Sequence, residues 1–487
     1  AKKLHLIYLE GYFDELDAKT IVVEKKYVDR DFLEDFAAYY VRSFARYERV
    51  CTRIHFFAHD FTPEEFEGVL QETPADPLIE EMQKSYLGFI VVKPIPITMI
   101  GRTCLRTYIS HPDRKFPLIR CYHVNLFGIK LEVQSIPYQE QDRIVAACAS
   151  SAIWSAFHST AHLFQHQIPS PYEITSSATK DTPFSNRHFP NEGLTPDQMA
   201  YAIRSVHLEP NLIEAEYDEI VKATIYAYLK AGIPLVFGVQ LFDESSKLII
   251  GRHALTVVGY RLEGGTPQKF GPNDFYLSSS RIKKIYVHDD QVGPFARMEF
   301  DDQKVTLNTS PGGSSYDSLS TSWFNKSGQI GDIRAIPKIL IIPLYHKIRI
   351  QYEVILNTIY DLDRLVKAGA AGIGKRLELE WDIFFSQLND LKTEIFDDTN
   401  LPPDEKKGLL LAELPKYIWR ASATTPQYER IEFLFDATDI EQGKLFLQIV
   451  KYSPQLNAIF QSIAVGSDLA KIDSLQIRAI FEALRAT

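Results

Sequence analysis

The stretch that most constrains the fold runs from Val145 to Phe164 and reads VAACASSAIWSAFHSTAHLF. It starts with small residues and continues with apolar residues at helical spacing, which predicts a helix that begins near Cys148. A thiol at a helix N-terminus faces unpaired N–H groups and the positive end of the helix dipole. Both favour the thiolate, which is the reactive form of cysteine. The stretch therefore predicts a helix that carries a candidate nucleophile.

The composition limits the class of protein around this helix. The chain has 487 residues, which is too long for one ordinary core and predicts roughly two to four domains. Its net charge of −10 argues against nucleic acid or an anionic membrane as the main partner. No apolar run reaches the ~18 residues of a membrane-spanning helix, and acidic residues interrupt the N-terminal apolar stretch too early for a signal peptide.

The cysteines point to a reducing environment. Only four are present, Cys51, Cys104, Cys121 and Cys148, at wide and irregular spacings. Such spacings fit neither a disulfide framework nor a zinc site. We therefore expect a cytoplasmic protein without a metal or another cofactor, in which a thiol is free to react.

Two later segments supply partners for a nucleophilic thiol. His253 opens the apolar, β-branched segment HALTVVGYRL, where a strand would hold its ring firmly at the edge of a cleft. The segment KKIYVHDD ends in Asp289 and Asp290, either of which could orient an imidazole. A thiolate needs a base, and the base needs an orienting group, so the order Cys, His, Asp on separate elements predicts a triad.

Strand alternation predicts which of the two aspartates orients the imidazole of His253. Side chains of a strand alternate between its faces, so Asp289 shares a face with Ile285 and Val287. This apolar face is expected to point into the core, whereas Tyr286 and His288 suit a wetter face. Asp289 is therefore the predicted orienting carboxylate.

These segments resemble the papain-like cysteine peptidase superfamily. HALTVVGY is similar to the strand that carries the catalytic histidine, and AGIPLVFGVQL is similar to the strand that commonly precedes it. A helix opened by Cys148 that contains Trp154 resembles the central helix of the family. IYVHDD, in place of the Asn-Ser-Trp motif of papain, looks more like the bacterial double-glycine leader peptidase branch. The resemblance covers about residues 135–300.

The resemblance implies a fold and a division of the chain. The expected class is α+β, with a papain-like core in which the Cys-bearing helix packs on an antiparallel sheet. This core would span residues 131–345. A preceding N-terminal α/β region would span residues 1–130, and a largely helical C-terminal region would span residues 346–487.

The resemblance also implies roles for single residues. Cys148 would be the nucleophile, His253 the general base and Asp289 the orienting group. Gln141, or Gln139 as the alternative, would donate its side-chain N–H to the oxyanion. Two features depart from the family: alanine follows Cys148 where the leader-peptidase branch commonly has Gly-Pro, and Gln141 lies seven residues before Cys148 instead of six.

The implied activity is cleavage of peptide or isopeptide bonds in a peptide or protein substrate. The same triad would serve an acyltransferase or a deamidase, because both pass through a thioester. The alternative from another class is an inactive papain-like scaffold that acts as a binding or regulatory protein, with Cys148 as buried apolar filler. The regions outside the core leave room for a regulatory protein partner.

Further patterns carry weaker predictions. His158, His162 and His166 recur at helical spacing, and we expect packed or solvent-facing rings there instead of a zinc site, which needs a further ligand. LHLIYLEGYF is predicted to be a strand, and LELEWDIFFSQLNDLKTEIF a long helix. The loop TSPGGSSYDSLSTSWFNKSG, at residues 309–328, is predicted to be a lid or a surface excursion.

Overall fold

The structure is a computed structural model that describes residues 4–71, 77–96, 98–108, 111–142, 148–180, 193–271, 274–307, 314–323, 332–441 and 443–486. Its helices are α1 (Leu4–Glu15), α2 (Arg30–Ala38), α3 (Pro63–Gln71), α4 (Pro77–Ser85), α5 (Cys148–Phe164), α6 (Pro171–Thr179), α7 (Pro196–Arg204), α8 (Asp218–Leu229), α9 (Tyr352–Gly372), α10 (Leu388–Asp397), α11 (Pro403–Leu411), α12 (Pro454–Gly466) and α13 (Leu475–Arg485). Short 3-10 helices are Tyr40–Arg42, Ser278–Arg281 and Leu469–Lys471.

The first strands along the chain are β1 (Thr20–Tyr27), β2 (Cys51–Phe57), β3 (Tyr86–Val92), β4 (Ile100–Leu105), β5 (Arg114–Lys115), β6 (Arg120–Leu126), β7 (Ile129–Ser135), β8 (Leu208–Glu214), β9 (Leu235–Asp243) and β10 (Leu248–Leu262). The later strands are β11 (Tyr276–Leu277), β12 (Ile282–Asp289), β13 (Gly293–Phe300), β14 (Val305–Leu307), β15 (Ser314–Tyr316), β16 (Leu319–Ser320), β17 (Ile333–Tyr345), β18 (Glu380–Gln387), β19 (Tyr417–Thr424), β20 (Arg430–Asp436) and β21 (Phe446–Val450).

The elements form a mixed α+β protein with mainly antiparallel sheets, as the sequence predicts at this level. The chain divides into two compact units. The first contains residues 1–218, 232–261 and 283–344, and the second contains residues 219–231, 262–282 and 345–487. Residues 1–130 thus share a unit with most of the predicted core, and the predicted three-part division stays a prediction. Within the described ranges, no helix is long and apolar enough to cross a membrane.

The N-terminal part of the first unit is built on a four-stranded antiparallel sheet in the order β1-β2-β3-β4, beside the hairpin β6-β7. Alternate residues of β7 are buried, among them Leu131 and Val133. They join Phe57, Tyr86 and Val91 in one apolar cluster. This alternation is what an antiparallel strand with one covered face requires.

The largest sheet positions the candidate site. Its strand order is β12-β13-β16-β17-β9-β10-β5, and β12 also pairs with β10, so the order closes on itself. Helix α5 packs on this sheet, where Ile153 and Phe157 share a core cluster with Val236 of β9 and Ala254 of β10. The Thr256 hydroxyl donates a hydrogen bond of 2.7 Å to the backbone oxygen of Ala152. The start of α5 is therefore fixed beside β10.

The second unit contains a five-stranded sheet in the order β11-β18-β19-β20-β21. Its interior includes the fully buried Trp381 and Trp419. It also holds an ion pair between Arg420 and Glu432, which are both buried. The prediction of a largely helical C-terminal region is therefore incomplete, because the described part of residues 346–487 carries four strands beside its helices.

Two of the predicted elements are wrong. LHLIYLEGYF is helix α1, because its buried residues His5, Leu9 and Tyr12 follow at steps of four and three and so share one helical face. The predicted helix LELEWDIFFSQLNDLKTEIF contains strand β18 before helix α10. In β18, residues 383–386 are buried without interruption, so the strand lacks the alternation that marks a half-exposed strand.

Candidate active site

Cys148 is the first residue of α5, where the sequence predicts a nucleophile. It is half-buried, and the four residues after it, Ala149 to Ala152, are buried. The segment before it, residues 143–147, lies outside the described part of the chain. Cys148 thus combines partial access to solvent with a position at a helix N-terminus.

The other three cysteines have different surroundings. Cys51 and Cys104 are buried, and burial raises the pKa of each thiol to about 12. Cys121 is exposed, and slight burial followed by a hydrogen bond with Glu132 raises its thiol pKa. Cys121 is therefore a reference thiol that solvent reaches and whose neighbouring histidine, His123, is exposed instead of buried.

The His253 ring connects the cysteine to a carboxylate. His253 lies on β10 opposite Val239 of β9, and it is buried. Its Nε2 donates a hydrogen bond of 2.9 Å to Oδ1 of Asp289. The side chain of Cys148 also interacts with the ring, and this interaction adds to the raised pKa of His253 after the charges of Asp289 and Asp290. Because Nε2 is occupied by Asp289, Nδ1 is the ring nitrogen left for Cys148. The structure thus brings together the three predicted triad residues.

Asp289 is held by more than the histidine. Its Oδ1 also accepts a hydrogen bond of 3.0 Å from the backbone N–H of Gln291. Its Oδ2 accepts one of 2.7 Å from Nε1 of Trp323. The carboxylate therefore has three donors, which fixes its orientation and satisfies its buried charge.

Trp323 is a site residue that sequence reasoning missed. Its ring stands edge-to-face on the His253 ring, with 5.2 Å between the centroids. It covers the His253–Asp289 pair and anchors the carboxylate. The only signal was one of the four tryptophans of the chain within a loop rich in serine and glycine. The loop predicted at residues 309–328 is described only in part: residues 314–323 contain β15 and β16, and residues 309–313 and 324–328 lie outside the described residues, so the lid stays a prediction.

The electrostatics of the pair favour its charged form. Burial alone lowers the pKa of His253, but the charges of Asp289 and then Asp290 outweigh it, so the pKa lies well above the usual value. Burial raises the pKa of Asp289, but the charge of His253 and the hydrogen bonds outweigh it, so the pKa is lowered. An imidazolium held by a carboxylate on one side and a sulfur on the other is the resting state of an activated thiol.

The prediction that one face of β12 is exposed to water is wrong. Tyr286 and His288 do not face water, because both are buried, as are Val287 and Asp289. The pairing of β12 with β13 is also irregular between Val287 and Asp289. Strand alternation therefore does not separate a wet face from a dry one here, and Asp290 also lies near His253, with its Oδ1 3.5 Å from Nε2.

The two candidate oxyanion donors differ in their surroundings. Gln139 is buried, and its side-chain Nε2 has no hydrogen-bond partner among the described residues. Gln141 is half-buried and has an interaction partner. Tyr138 and Glu140 flank Gln139. Burial and then the charge of Asp290 raise the pKa of Tyr138, and the charge of Glu140 adds to the raised pKa of Asp290. The segment thus passes the site, and the role of Gln141 stays a prediction beside that of Gln139.

Two groups of metal-type donors occur in the described residues. Cys121, His123 and Glu132 form an exposed group, and His253, Asp289 and Asp290 form a buried one, each with ligand atoms within 4.8 Å of one another. In the buried group, Nε2 of His253 already donates a hydrogen bond to Asp289. We therefore describe this group as an acid–base cluster and assign no metal ligands in it.

The histidine stripe of α5 is interrupted. His158 is buried, and its ring lies 4.4 Å from the Trp154 ring. Helix α5 ends at Phe164, so His166 lies beyond it, where its Nε2 forms a hydrogen bond of 2.8 Å with the Thr160 hydroxyl. The predicted helical stripe of three histidines is therefore wrong at its third member.

No family model matches the chain, and no curated protein matches it in sequence.

Proposed function

We propose that the chain is a thiol hydrolase that cleaves peptide or isopeptide bonds through Cys148, His253 and Asp289. The observation that carries the proposal is the position of the His253 ring, which hydrogen-bonds the carboxylate of Asp289 and interacts with the side chain of Cys148. These residues come from three separate elements, α5, β10 and β12. A cysteine kept only as apolar filler has no need of a buried histidine and carboxylate.

In this proposal each residue has a step. The Cys148 sulfur attacks the carbonyl carbon, and the resulting oxyanion is stabilised by the backbone N–H of Cys148 and a glutamine amide. Nδ1 of His253 then gives its proton to the leaving amine, and a thioester forms. His253 next takes a proton from water, whose oxygen attacks the thioester carbon. The C–S bond breaks, the acid leaves, and the Cys148 thiolate and the His253 imidazolium are restored. Asp289 keeps Nε2 protonated, so that Nδ1 exchanges the proton in both halves.

We also propose a papain-like core for this part of the chain. Its support is a helix with cysteine as its first residue, packed on an antiparallel sheet whose neighbouring strands β10 and β12 carry the histidine and the aspartate. The substrate in this proposal is a peptide or protein, because the reaction needs an acyl carbon with an amine leaving group.

Thiol labelling tests the proposal without a known substrate. At pH 6, iodoacetamide or a peptide vinyl sulfone should modify Cys148 far faster than Cys121, although Cys121 is the more exposed thiol. Cys121→Ser should leave the fast reaction unchanged, and Cys148→Ala should remove it. Equal and slow labelling of both cysteines would instead support an inactive scaffold.

Turnover of a mixture of fluorogenic peptides tests the reaction itself. Cys148→Ala and His253→Ala should each abolish turnover, and the second should also slow the alkylation of Cys148 near neutral pH. Turnover that survives in Cys148→Ala would remove this residue as the nucleophile. Product that appears only when an amine acceptor is added would favour the acyltransferase.

A further inference from the structure

Asp290 is a buried carboxylate to which the triad gives no role. It follows Asp289 at the end of β12 and is 4% exposed. Its Oδ1 lies 3.5 Å from Nε2 of His253, yet neither carboxylate oxygen has a hydrogen-bond partner among the described residues. A buried charged carboxylate without hydrogen bonds is strongly unfavourable, so its protonation state needs an explanation.

The groups around Asp290 come from three other parts of the first unit. From β10, His253 faces it with a positive charge. From α1, Nε2 of His5 forms a hydrogen bond of 2.8 Å with the backbone oxygen of Asp290, and so does not neutralise the side chain. From the segment before α5 come Glu140, whose Oε1 lies 3.8 Å from Nδ1 of His5, and the buried Tyr138.

These groups contain more negative than positive charge. Asp289 and Asp290 are two carboxyl groups beside one imidazolium, and Glu140 is near enough to Asp290 to raise its pKa; two carboxylates that share a site do not ionise together easily. Asp289 has three hydrogen-bond donors and keeps its charge. Asp290 has none in the described part of the chain, so it is the carboxyl group that holds a proton most easily. Burial raises its pKa to about 7, with the charge of Asp289 acting in the same direction.

We propose that Asp290 is a positioning residue that is neutral in acid and becomes a second counter-charge for His253 when it loses its proton. Because this proposal concerns the triad, it rests on the proposed function. Below the transition, Asp289 alone balances the imidazolium. Above it, the added negative charge at 3.5 Å stabilises the imidazolium against loss of its proton. The Cys148–His253 ion pair is then retained to higher pH than a triad with one carboxylate would allow.

Asp290→Asn is the direct test, because it keeps the shape and removes the charge. Proteins with ¹⁵N-labelled histidine give the titration of His253, whose resonance is assigned by its loss in His253→Gln. We expect wild type and variant to agree at pH 6 and the variant to lose its imidazolium proton ~1–3 pH units earlier. Asp290→Glu, which restores a carboxylate, should move the titration back towards wild type. A purely structural role would predict no shift, and that result would overturn the proposal.

A second measurement follows the Asp290 carboxyl in the wild-type protein. It therefore does not depend on the folding of any one variant. ¹³C-labelled aspartate should show this group losing its proton near neutral pH in wild type, with the resonance assigned by its loss in Asp290→Asn or in Asp290→Glu. A midpoint below about 5, as in an ordinary aspartate, would overturn this inference and leave the proposed function standing. Failure of selective Cys148 labelling would overturn the proposed function instead, because that assay does not depend on Asp290.

Discussion

Replacing Asp289 by asparagine removes the charge that holds His253 in its protonated form and keeps the size of the side chain. In the wild type, Oδ1 of Asp289 accepts hydrogen bonds from His253 and from the backbone of Gln291, while Oδ2 accepts one from Trp323. The amide of asparagine keeps one oxygen, so part of this network survives. The change therefore tests the charge of the carboxylate more than the packing around it.

The magnitude follows from the contact with His253. An opposite charge within hydrogen-bond distance shifts a pKa by ~1–3 units, and each unit is worth about 1.4 kcal/mol. Loss of the Asp289 charge should lower the pKa of His253 by this amount and reduce the equilibrium constant for the ion pair by about 10- to 1,000-fold. Turnover near neutral pH should fall by up to this factor. This is less than the roughly 10⁴-fold loss in a serine protease, where the ion pair is absent from the resting state.

Asp290→Asn is the matched control in the same assay. At pH 6, Asp290 holds a proton in our proposal, so the substitution removes no charge and should leave Cys148 alkylation nearly unchanged. Asp289→Asn should slow the alkylation by the factor given above. The measurement is the rate of Cys148 alkylation at pH 6, with circular dichroism to show that both variants are folded. An equal or larger effect of Asp290→Asn at pH 6 would refute the assignment of Asp289 as the orienting group.

Three further predictions use other parts of the structure. Trp323→Phe keeps an aromatic ring but removes one hydrogen bond to the orienting carboxylate, which is worth about 1.5–3 kcal/mol, so kcat should fall by up to roughly 100-fold and the melting temperature by several degrees. Gln139→Ala should lower kcat by about 10²–10³-fold with little effect on thiol labelling, because the side-chain Nε2 of Gln139 has no hydrogen-bond partner among the described residues. A larger effect of Gln141→Ala would assign the oxyanion contact to Gln141 instead. Arg420→Met leaves Glu432 as a buried charge without its main partner, so the free energy of unfolding measured with urea should fall by about 3–5 kcal/mol. A decrease below about 1 kcal/mol would contradict the prediction that this ion pair stabilises the second unit.

The parts of the site that could be predicted from sequence are those carried by local patterns. Small residues followed by an amphipathic run indicate a helix that begins at Cys148, and the structure begins α5 there. A β-branched run after His253 indicates a strand, which is β10. Residues 149–160 of α5 and 253–260 of β10 are buried without interruption, so these elements are indicated by residue type and length and not by a half-exposed face. β18 is likewise buried over residues 383–386 and lacks the alternation that distinguishes a strand from a helix.

The remaining parts depend on long-range contacts that no local pattern encodes. Trp323 joins the site from 34 positions beyond Asp289, and His5 reaches Asp290 from 285 positions away. Neither contact follows from the periodicity of the segment that supplies it. Strand alternation favoured Asp289 and assumed that the neighbouring positions face water. The closed strand order of the sheet instead surrounds the end of β12 with protein on both faces. Two adjacent carboxyl groups therefore lie within 3.5 Å of one imidazole, and their different hydrogen bonds, three for Asp289 and none for Asp290 in the described residues, separate their roles.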